Sequence, residues 1–266
     1  MQACPDDKHA AMAPVRILTW NILRSDLLRL YSWPWLLRRT ALKRALQTHD
    51  FDVLCVQEEH PVQRGQLQQW LPGFTVIGDF AQQHGEAIEA NGIYFSQARF
   101  TAIASGTLRI PVAATHGPLE RTATWVQLCC RESRQTFVVA NCHFGHSRGG
   151  REHDREALCA ELARCGAGLP LVLLGDFNCG PADPLFAAFA GLGLARIPQL
   201  QPDRAPRTLN LFGLPLWSID AVLTRELRAR SLSVVRGWRG PVVASDHFGL
   251  LAEVECPEAP DLTGQK

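Results

Sequence analysis

The sequence predicts an α/β protein, and three observations carry that prediction. Its 266 residues are 46% hydrophobic and 20% charged, the balance of a globular chain. Short apolar runs such as Leu171-Val172-Leu173-Leu174, opened by Pro170 and closed by Gly175, have the size of strands buried on both faces. Between such runs lie stretches with helical spacing: one starts at Trp35, with apolar residues at 35, 36, 42 and 46, and another spans Glu152 to Cys165.

Composition also excludes several classes. A net charge of +1 gives no global field of the kind that marks an obligate nucleic-acid binder, so any preference for polyanions must be local. Nine cysteines, none in a Cys-x-x-Cys pair, indicate neither a zinc site nor a complete disulfide framework, and a reducing, cytoplasmic setting is expected. Residues 1–14 lack the apolar core of a secretory leader and are expected to be a flexible segment. Residues 15–256 are expected to form one domain and 257–266 a flexible tail. No apolar run reaches the ~18 residues of a membrane-spanning helix, so a soluble monomer is expected.

In chain order, Val15 to Asn21 is a strand ending on a carboxamide. From Leu23 to Leu46 arginines alternate with Tyr31, Trp33 and Trp35, and Pro34 divides this stretch into a loop and a helix whose arginines are expected to face solvent. Phe51 to Val56 is a strand leading into Gln57-Glu58-Glu59. A short helix (Gln63 to Trp70), a strand through Val76 and a polar loop from Asp79 to Asn91 follow. Further strands are expected at Ile93 to Phe95, Ala102 to Leu108, Thr124 to Cys129 with Arg121 before it, and Phe137 to His143. After Asn178 come a helix (Pro184 to Ala190), a proline-rich connection from Ile197 to Arg207, and strands at Ser218 to Leu223, Leu232 to Val235 and Ala244 to Leu251, the last continuing to Val254.

Polar residues collect where these strands end: Asn21, Glu58, His143, Asp176, Asn178, Asp220, Asp246 and His247. Each alone has an ordinary reading. Gly-Asp-Phe-Asn is common turn chemistry, and a histidine at a strand end is more often a satisfied core or surface group than a catalyst. Together they form the set that metal-assisted phosphoester hydrolysis requires. A hard cation such as Mg²⁺ or Mn²⁺ takes oxygen donors, which Glu58, Asn21 and Asp246 supply. Asp176 and Asn178, two apart in extended geometry, are expected to share one side and to orient or deprotonate a water. His143 and His247 can donate to phosphoryl oxygens, with Asp220 holding His247 in one tautomer.

These residues also carry a resemblance. Thr19-Trp20-Asn21, Gln57-Glu58, Asn141-Cys142-His143, Gly175-Asp176-Phe177-Asn178, Ser218-Ile219-Asp220 and Ser245-Asp246-His247 resemble, in order, the motif set of the endonuclease/exonuclease/phosphatase superfamily, from Val15 to about Val254. The resemblance implies a four-layer α/β sandwich, two mixed β-sheets packed face to face and flanked by helices, with divalent-metal hydrolysis by in-line attack of water. It makes Glu58 the principal metal ligand, assisted by Asn21 and Asp246. It gives the nucleophile to Asp176 and Asn178, and the phosphoryl transition state to His143 and His247. Leu23 stands where the abasic-DNA and tyrosyl-DNA repair branches usually carry a carboxylate, which argues against that role. His143 resembles the deoxyribonuclease and neutral sphingomyelinase branches. Gly85-Glu86 and Asn91-Gly92-Ile93-Tyr94 resemble elements of bacterial phosphodiesterase-like members.

Three functions fit this sequence. The first is a phosphodiesterase acting on a small or lipid-like phosphoester, for which Glu86, Asn91, Arg121, Trp33 and Trp35 are candidate substrate contacts. The second is a nuclease on DNA or RNA, supported by the arginine- and aromatic-rich run from Arg24 to Arg44. The third is a non-catalytic phosphate-binding module, which would be expected to have lost Glu58, Asp176 or His247. Tryptophans flanking Pro34, with Arg29, Arg38 and Arg39, would also suit peripheral contact with an anionic membrane.

Overall fold

Strands that are apolar on both faces must be covered on both, and this chain meets the requirement with two sheets that cover each other and helices that cover the outsides. The computed structural model describes residues 13–27, 32–110, 120–197 and 206–255. The first sheet has seven strands, in the order Arg228–Val235, Gly249–Glu255, Val15–Asn21, Val53–Glu59, Glu86–Ser96 and Phe74–Ile77, with Phe80–Gln83 also paired to Glu86–Ser96. The second has six: Ala195–Arg196, Asp220–Arg225, Leu171–Asp176, Thr136–His143, Arg121–Cys130 and Phe100–Ile110.

Each large sheet holds one parallel pair among its described strands, Val15–Asn21 with Val53–Glu59 and Thr136–His143 with Leu171–Asp176. A parallel neighbour needs a crossover, supplied by the helices Trp35–Thr48 and Arg148–Cys165. The register then sets Asn21 beside Gln57, and Asp176 between His143 and Asp220, so polar residues gather at one edge of each sheet.

Alternation along the strands assigns the core. Ile17, Val53, Cys55 and Ile93 of the first sheet meet Val126, Val139, Val172 and Leu174 of the second in a shared inner layer. Leu18, Leu54 and Val56 turn outward onto Leu42 and Leu46 of the first helix and Leu67 of helix Pro61–Trp70. On the opposite outside, Leu171 and Leu173 pack on Leu158 and Leu162 of the third helix and Phe189 of helix Leu185–Ala190. Four layers result, as the resemblance implied.

The structure corrects several expectations. Residues 79–91 are not a polar loop: Phe80–Gln83 and the strand starting at Glu86 form a hairpin, and its turn is His84-Gly85, both at positive φ (52° and 83°), the two-residue geometry that matches strand twist. The strand expected over Ala244 to Leu251 starts only at Gly249, because Ala244 to Phe248 hydrogen-bond to neighbouring loops instead. Two short hairpins were not anticipated, Leu209–Leu211 with Leu214–Trp217 and Trp238–Arg239 with Val242–Val243. On the first helix the apolar assignment of Leu36 and the solvent assignment of Arg38 are reversed: Leu36 is exposed and Arg38 wholly buried. Residues 1–12, 28–31 (with Arg29 and Tyr31), 111–119, 198–205 and 256–266 lie outside the described residues, as do the expectations that fall on them.

Candidate active site

The first sheet delivers Asn21 and Glu58 to the site by different local devices. Asn21 ends its strand, with Oδ1 accepting from the Leu23 N–H (3.0 Å) and Nδ2 donating to Glu58 Oε1 (3.2 Å) and Asp176 Oδ2 (3.1 Å). Glu58 sits in a bulge: its strand spends one residue more than its partner between the pairs Val56–Gly92 and Glu59–Ala90, and Glu58 has φ +54°. The bulge sends the adjacent glutamates to different places. Glu58 turns to Asn21, while Glu59 is held by Arg64 (Nη2–Oε2 2.6 Å) and the Tyr94 hydroxyl.

From the second sheet, Asp176 is the hub. Besides Asn21, its Oδ2 faces His143 Nε2 (3.5 Å) and His247 Nε2 (3.7 Å), and its Oδ1 accepts from the Asn178 N–H (2.9 Å). Gly175, just before it, has φ +137°, and a Cβ there would lie 2.0 Å from the Cys142 carbonyl oxygen, so only glycine lets these strands approach. Burial raises the Asp176 carboxyl to about 7, with Asp220 adding to the rise and His247 opposing it. For His247 burial alone would favour the neutral ring, but Asp220, Asp176 and Asp246 outweigh it and raise the imidazolium to about 10. Its Nδ1–H donates to Asp220 Oδ2 (2.9 Å), the tautomer-fixing pair expected from sequence.

Asn178 does not share a strand face with Asp176. The strand has ended, Asn178 has φ +50°, and its backbone braces the Asp176 carboxylate in an Asx-type turn. Its side-chain Nδ2 donates to the Phe144 carbonyl (2.7 Å), which fixes the amide so that Oδ1 accepts from His146 Nδ1 (3.1 Å). The turn and the site are therefore one feature.

Asp246 and His247 are set by loop hydrogen bonds. Trp20 Nε1 donates to the His247 carbonyl (2.8 Å), Ser245 Oγ to the Asn21 carbonyl (2.7 Å), and the Asn210 N–H to the Asp246 carbonyl (2.7 Å). Arg38 joins both sides. Its guanidinium donates to the carbonyls of Ile22 (2.9 Å), Leu23 (3.0 Å) and Arg24 (3.3 Å) after Asn21, and to that of Ala244 (3.0 Å) before Ser245.

The candidate substrate contacts divide. Arg121 pairs with Glu89 (3.3 Å), which also faces Arg24 (3.6 Å) and is raised to about 7 by burial and by Glu58, so these two carboxylates share a small volume. Glu89 was not singled out from sequence, yet the hairpin puts it in phase with Asn91, Ile93 and Phe95 on the inner face. Glu86 is exposed beside the hairpin turn, and Asn91 is committed to Thr122, tying the two sheets together. Trp35 is buried, its Nε1 donating to Gln66 (3.0 Å) and its ring stacked on Trp70, so it is a core residue. Trp33 is half-buried against Phe212.

For a divalent cation, two donor groups compete. Asp176, Asp220 and His247 place one ligand atom each within 4.8 Å of one another. In that set His247 Nδ1 is already taken up by Asp220 Oδ2, and a nitrogen donor is a poor choice for a hard ion. Glu58 and nearby Glu89 are oxygen donors and buried carboxylates in mutual repulsion, which a cation would relieve, while Asn21 beside them turns its Nδ2 to Glu58 and would offer its oxygen to an ion once that amide is turned over. The residues fit a hard divalent ion.

A model of the endonuclease/exonuclease/phosphatase family matches residues 18–247, nearly the whole described fold. The chain belongs to that family. Its members are metal-dependent phosphoester hydrolases. Mouse nocturnin is 25% identical over 217 residues, covering 71% of this chain and 48% of that protein, so the chain spans about half the length of the curated relatives it matches. An endonuclease/exonuclease/phosphatase family protein from Bacteroides thetaiotaomicron superposes with a TM-score of 0.78 at 20% identity, over 93% of this chain and 99% of that one. ANGEL2, described as a 2′,3′-cyclic phosphatase and solved with adenosine-2′,3′-vanadate, superposes at 0.75 with 16% identity, over 91% and 96%.

Proposed function

We propose that this protein is a Mg²⁺- or Mn²⁺-dependent phosphodiesterase that hydrolyses a small or lipid-like phosphoester by in-line attack of water. The observation that carries the reading is the Asp176 carboxylate, raised to about 7 and placed within 3.1 to 3.7 Å of Asn21, His143 and His247. A base poised near neutrality beside a cation is what phosphoester hydrolysis needs.

In this reading Glu58, Asn21 and Asp246 hold the metal ion, which supplies neutralisation of charge on the phosphoryl group. Asp176 takes a proton from the attacking water as the water oxygen bonds to phosphorus, and the ester P–O bond breaks with its electron pair on the departing alcohol oxygen, which takes a proton from solvent. Asn178 braces that carboxylate. His247, a cation below about 10 and steadied by Asp220, donates to a phosphoryl oxygen, and His143 contributes a second donor.

A second reading, hydrolysis of a nucleotide phosphoester, is favoured by ANGEL2, whose structure holds an adenosine derivative. One panel separates the two: bis-p-nitrophenyl phosphate, sphingomyelin, single-stranded RNA and a 2′,3′-cyclic nucleotide, each in EDTA and after adding Mg²⁺ or Mn²⁺. Metal-restored turnover of the diester or lipid supports the first reading. Turnover confined to the nucleotide or RNA replaces it with the second, and full turnover in EDTA removes both.

A further inference from the structure

Seven of the nine exposed large hydrophobic residues among the described ones cluster in the Leu209–Trp217 hairpin, at Trp238 and in the first turn of the first helix. Leu214 and Trp217 are each 63% exposed and Leu36 is 65% exposed. Scattered single residues of this kind are normal, but a concentration is not. These pieces are in contact. The hairpin turn Phe212-Gly213 is flanked by Trp33, whose ring meets Phe212 edge-on at 6.0 Å, and by Trp238, whose ring lies so close over Gly213 that a Cβ there would be 2.0 Å away. The first helix packs on both strands of the Trp238 hairpin. Leu211 pairs across the hairpin with Leu214, and Leu209 with Trp217, so one outward face is continuously apolar.

The segments that build this face carry charge of one sign. Residues 32–44, 206–219 and 236–243 contain no aspartate or glutamate, and they carry Arg39, Arg207, Arg236 and Arg239. We infer that this face docks the protein on an anionic lipid surface. Leucine side chains offer no π-face for bases, whereas hydrocarbon accepts them, tryptophan settles at the headgroup level, and arginine meets lipid phosphate. The hairpin is also coupled to the site, since Leu209 bridges to His247 and the Asn210 N–H bonds to the Asp246 carbonyl. Docking therefore sets the site beside headgroup phosphoesters. What the docked site would hydrolyse rests on the phosphodiesterase reading; the docking itself does not.

The test is sedimentation of the full chain in EDTA, so that neither turnover nor metal bridging contributes, with vesicles of phosphatidylcholine alone or mixed with phosphatidylglycerol. Retention by the mixed vesicles, absence with phosphatidylcholine alone and release by salt are expected. Leu214→Glu with Trp217→Glu should lower partitioning at least ~10-fold, and Arg236→Gln or Arg239→Gln about 5-fold each. All four substituted positions are exposed, so an unchanged melting temperature establishes that the variants fold. No sedimentation with either vesicle, or undiminished sedimentation of the Leu214/Trp217 variant, overturns the inference. So does polynucleotide retention lost in that variant without vesicle binding, or a dimer that the variant dissociates without vesicle binding. Turnover of soluble bis-p-nitrophenyl phosphate is independent of docking, so a failure of the phosphodiesterase reading is distinguishable from a failure of this one.

Discussion

In the first sheet the loop leaving the strand at Asn21 turns carbonyls inward, whereas in the second the loop leaving His143 turns an N–H inward, and the crossover helix packed beside each answers in kind. The first helix buries a donor, Arg38, against the carbonyls of Ile22, Leu23 and Arg24. The third buries an acceptor, Asp154, whose Oδ2 takes the Gly145 N–H (2.7 Å). Two parallel pairs of the same topology thus carry different chemistry. One half places Asn21 and Glu58 and the other His143 and Asp176, and in the proposed function the first serves the cation and the second proton transfer. The division teaches that backbone topology fixes where the two half-sites lie, while the polarity of each loop and its buried partner fixes what each half can do.

The sharpest way to break the comparison is to disable each half separately. Asp176→Asn should lower kcat by ~10²-fold or more at saturating metal, because it removes the base and leaves the packing. Glu58→Gln should lower activity comparably at low metal but recover in part as Mg²⁺ or Mn²⁺ is raised, because it weakens ligation. Metal titrations of both variants decide the matter: equal recovery in the two would mean that the halves are not chemically distinct.

Next in size is the difference between the two buried anchors. Arg38→Ala strands several carbonyls from two loops and should destabilise by about 3–5 kcal/mol, whereas Asp154→Ala removes the acceptor of the Gly145 N–H and should destabilise by about 1–3 kcal/mol. Arg38→Lys keeps the charge but not the planar fork, so it should fall between parent and Ala in urea melts. A larger effect at Asp154 than at Arg38 would refute this account of how the loops are held.

A pH profile probes the hub where the halves meet. Asp176 must be ionised to act as base and His247 protonated to act as donor, so kcat/KM should rise through about 7 and fall through about 10. Below the acid limb the slope should approach tenfold per pH unit. For stability the sign runs the other way at Asp176. Its folded pKa is raised, so its contribution is present at acid pH and is lost as pH rises through about 7. Asp176→Asn should therefore gain in melting temperature relative to the parent between pH 5 and pH 8, a trend that differential scanning calorimetry reads directly.

The eight strand-end residues were legible because an apolar run that stops at a polar side chain marks where a buried strand reaches an edge. Asn21, Glu58, His143 and Asp176 lie at the ends of their strands and Asn178 just after one, whereas Asp220 opens a strand and Asp246 and His247 sit in the loop that leads into Gly249–Glu255. What could not be read was any residue whose role depends on a partner distant in sequence. Arg38 is 206 residues from Ala244, and only the fold brings that carbonyl to it. Its position fits the helical spacing of 35, 38, 42 and 45, but the sequence reading drew the apolar face through 35, 36, 42 and 46 and turned Arg38 to solvent, because a charged residue reads as a solvated one. Trp35 was misjudged for the converse reason. It was read both as the first apolar position of the helix and as a candidate substrate contact, and the second reading fails because its ring stacks on Trp70 of another helix.

The smallest expected effect sharpens the boundary of the first half. Glu86 and Glu89 lie three residues apart on one strand, but a bulge at Ile88 sets Glu86 opposite Gln83 and Glu89 opposite Ala81, so distance from the turn, not the face of the strand, separates them. Glu86 is exposed beside the His84-Gly85 turn, while Glu89 is buried, held by Arg24 and Arg121 and close enough to Glu58 to raise its own pKa. Glu86→Ala removes a solvated charge and should change stability by less than ~0.5 kcal/mol, with turnover within about twofold of the parent. Glu89→Gln keeps the shape but withdraws the charge that positions two arginines, so it should alter the metal concentration giving half-maximal activity. Running both variants through one metal titration checks the assignment, and a response to Glu86→Ala equal to that of Glu89→Gln would move the edge of the site out to the hairpin turn.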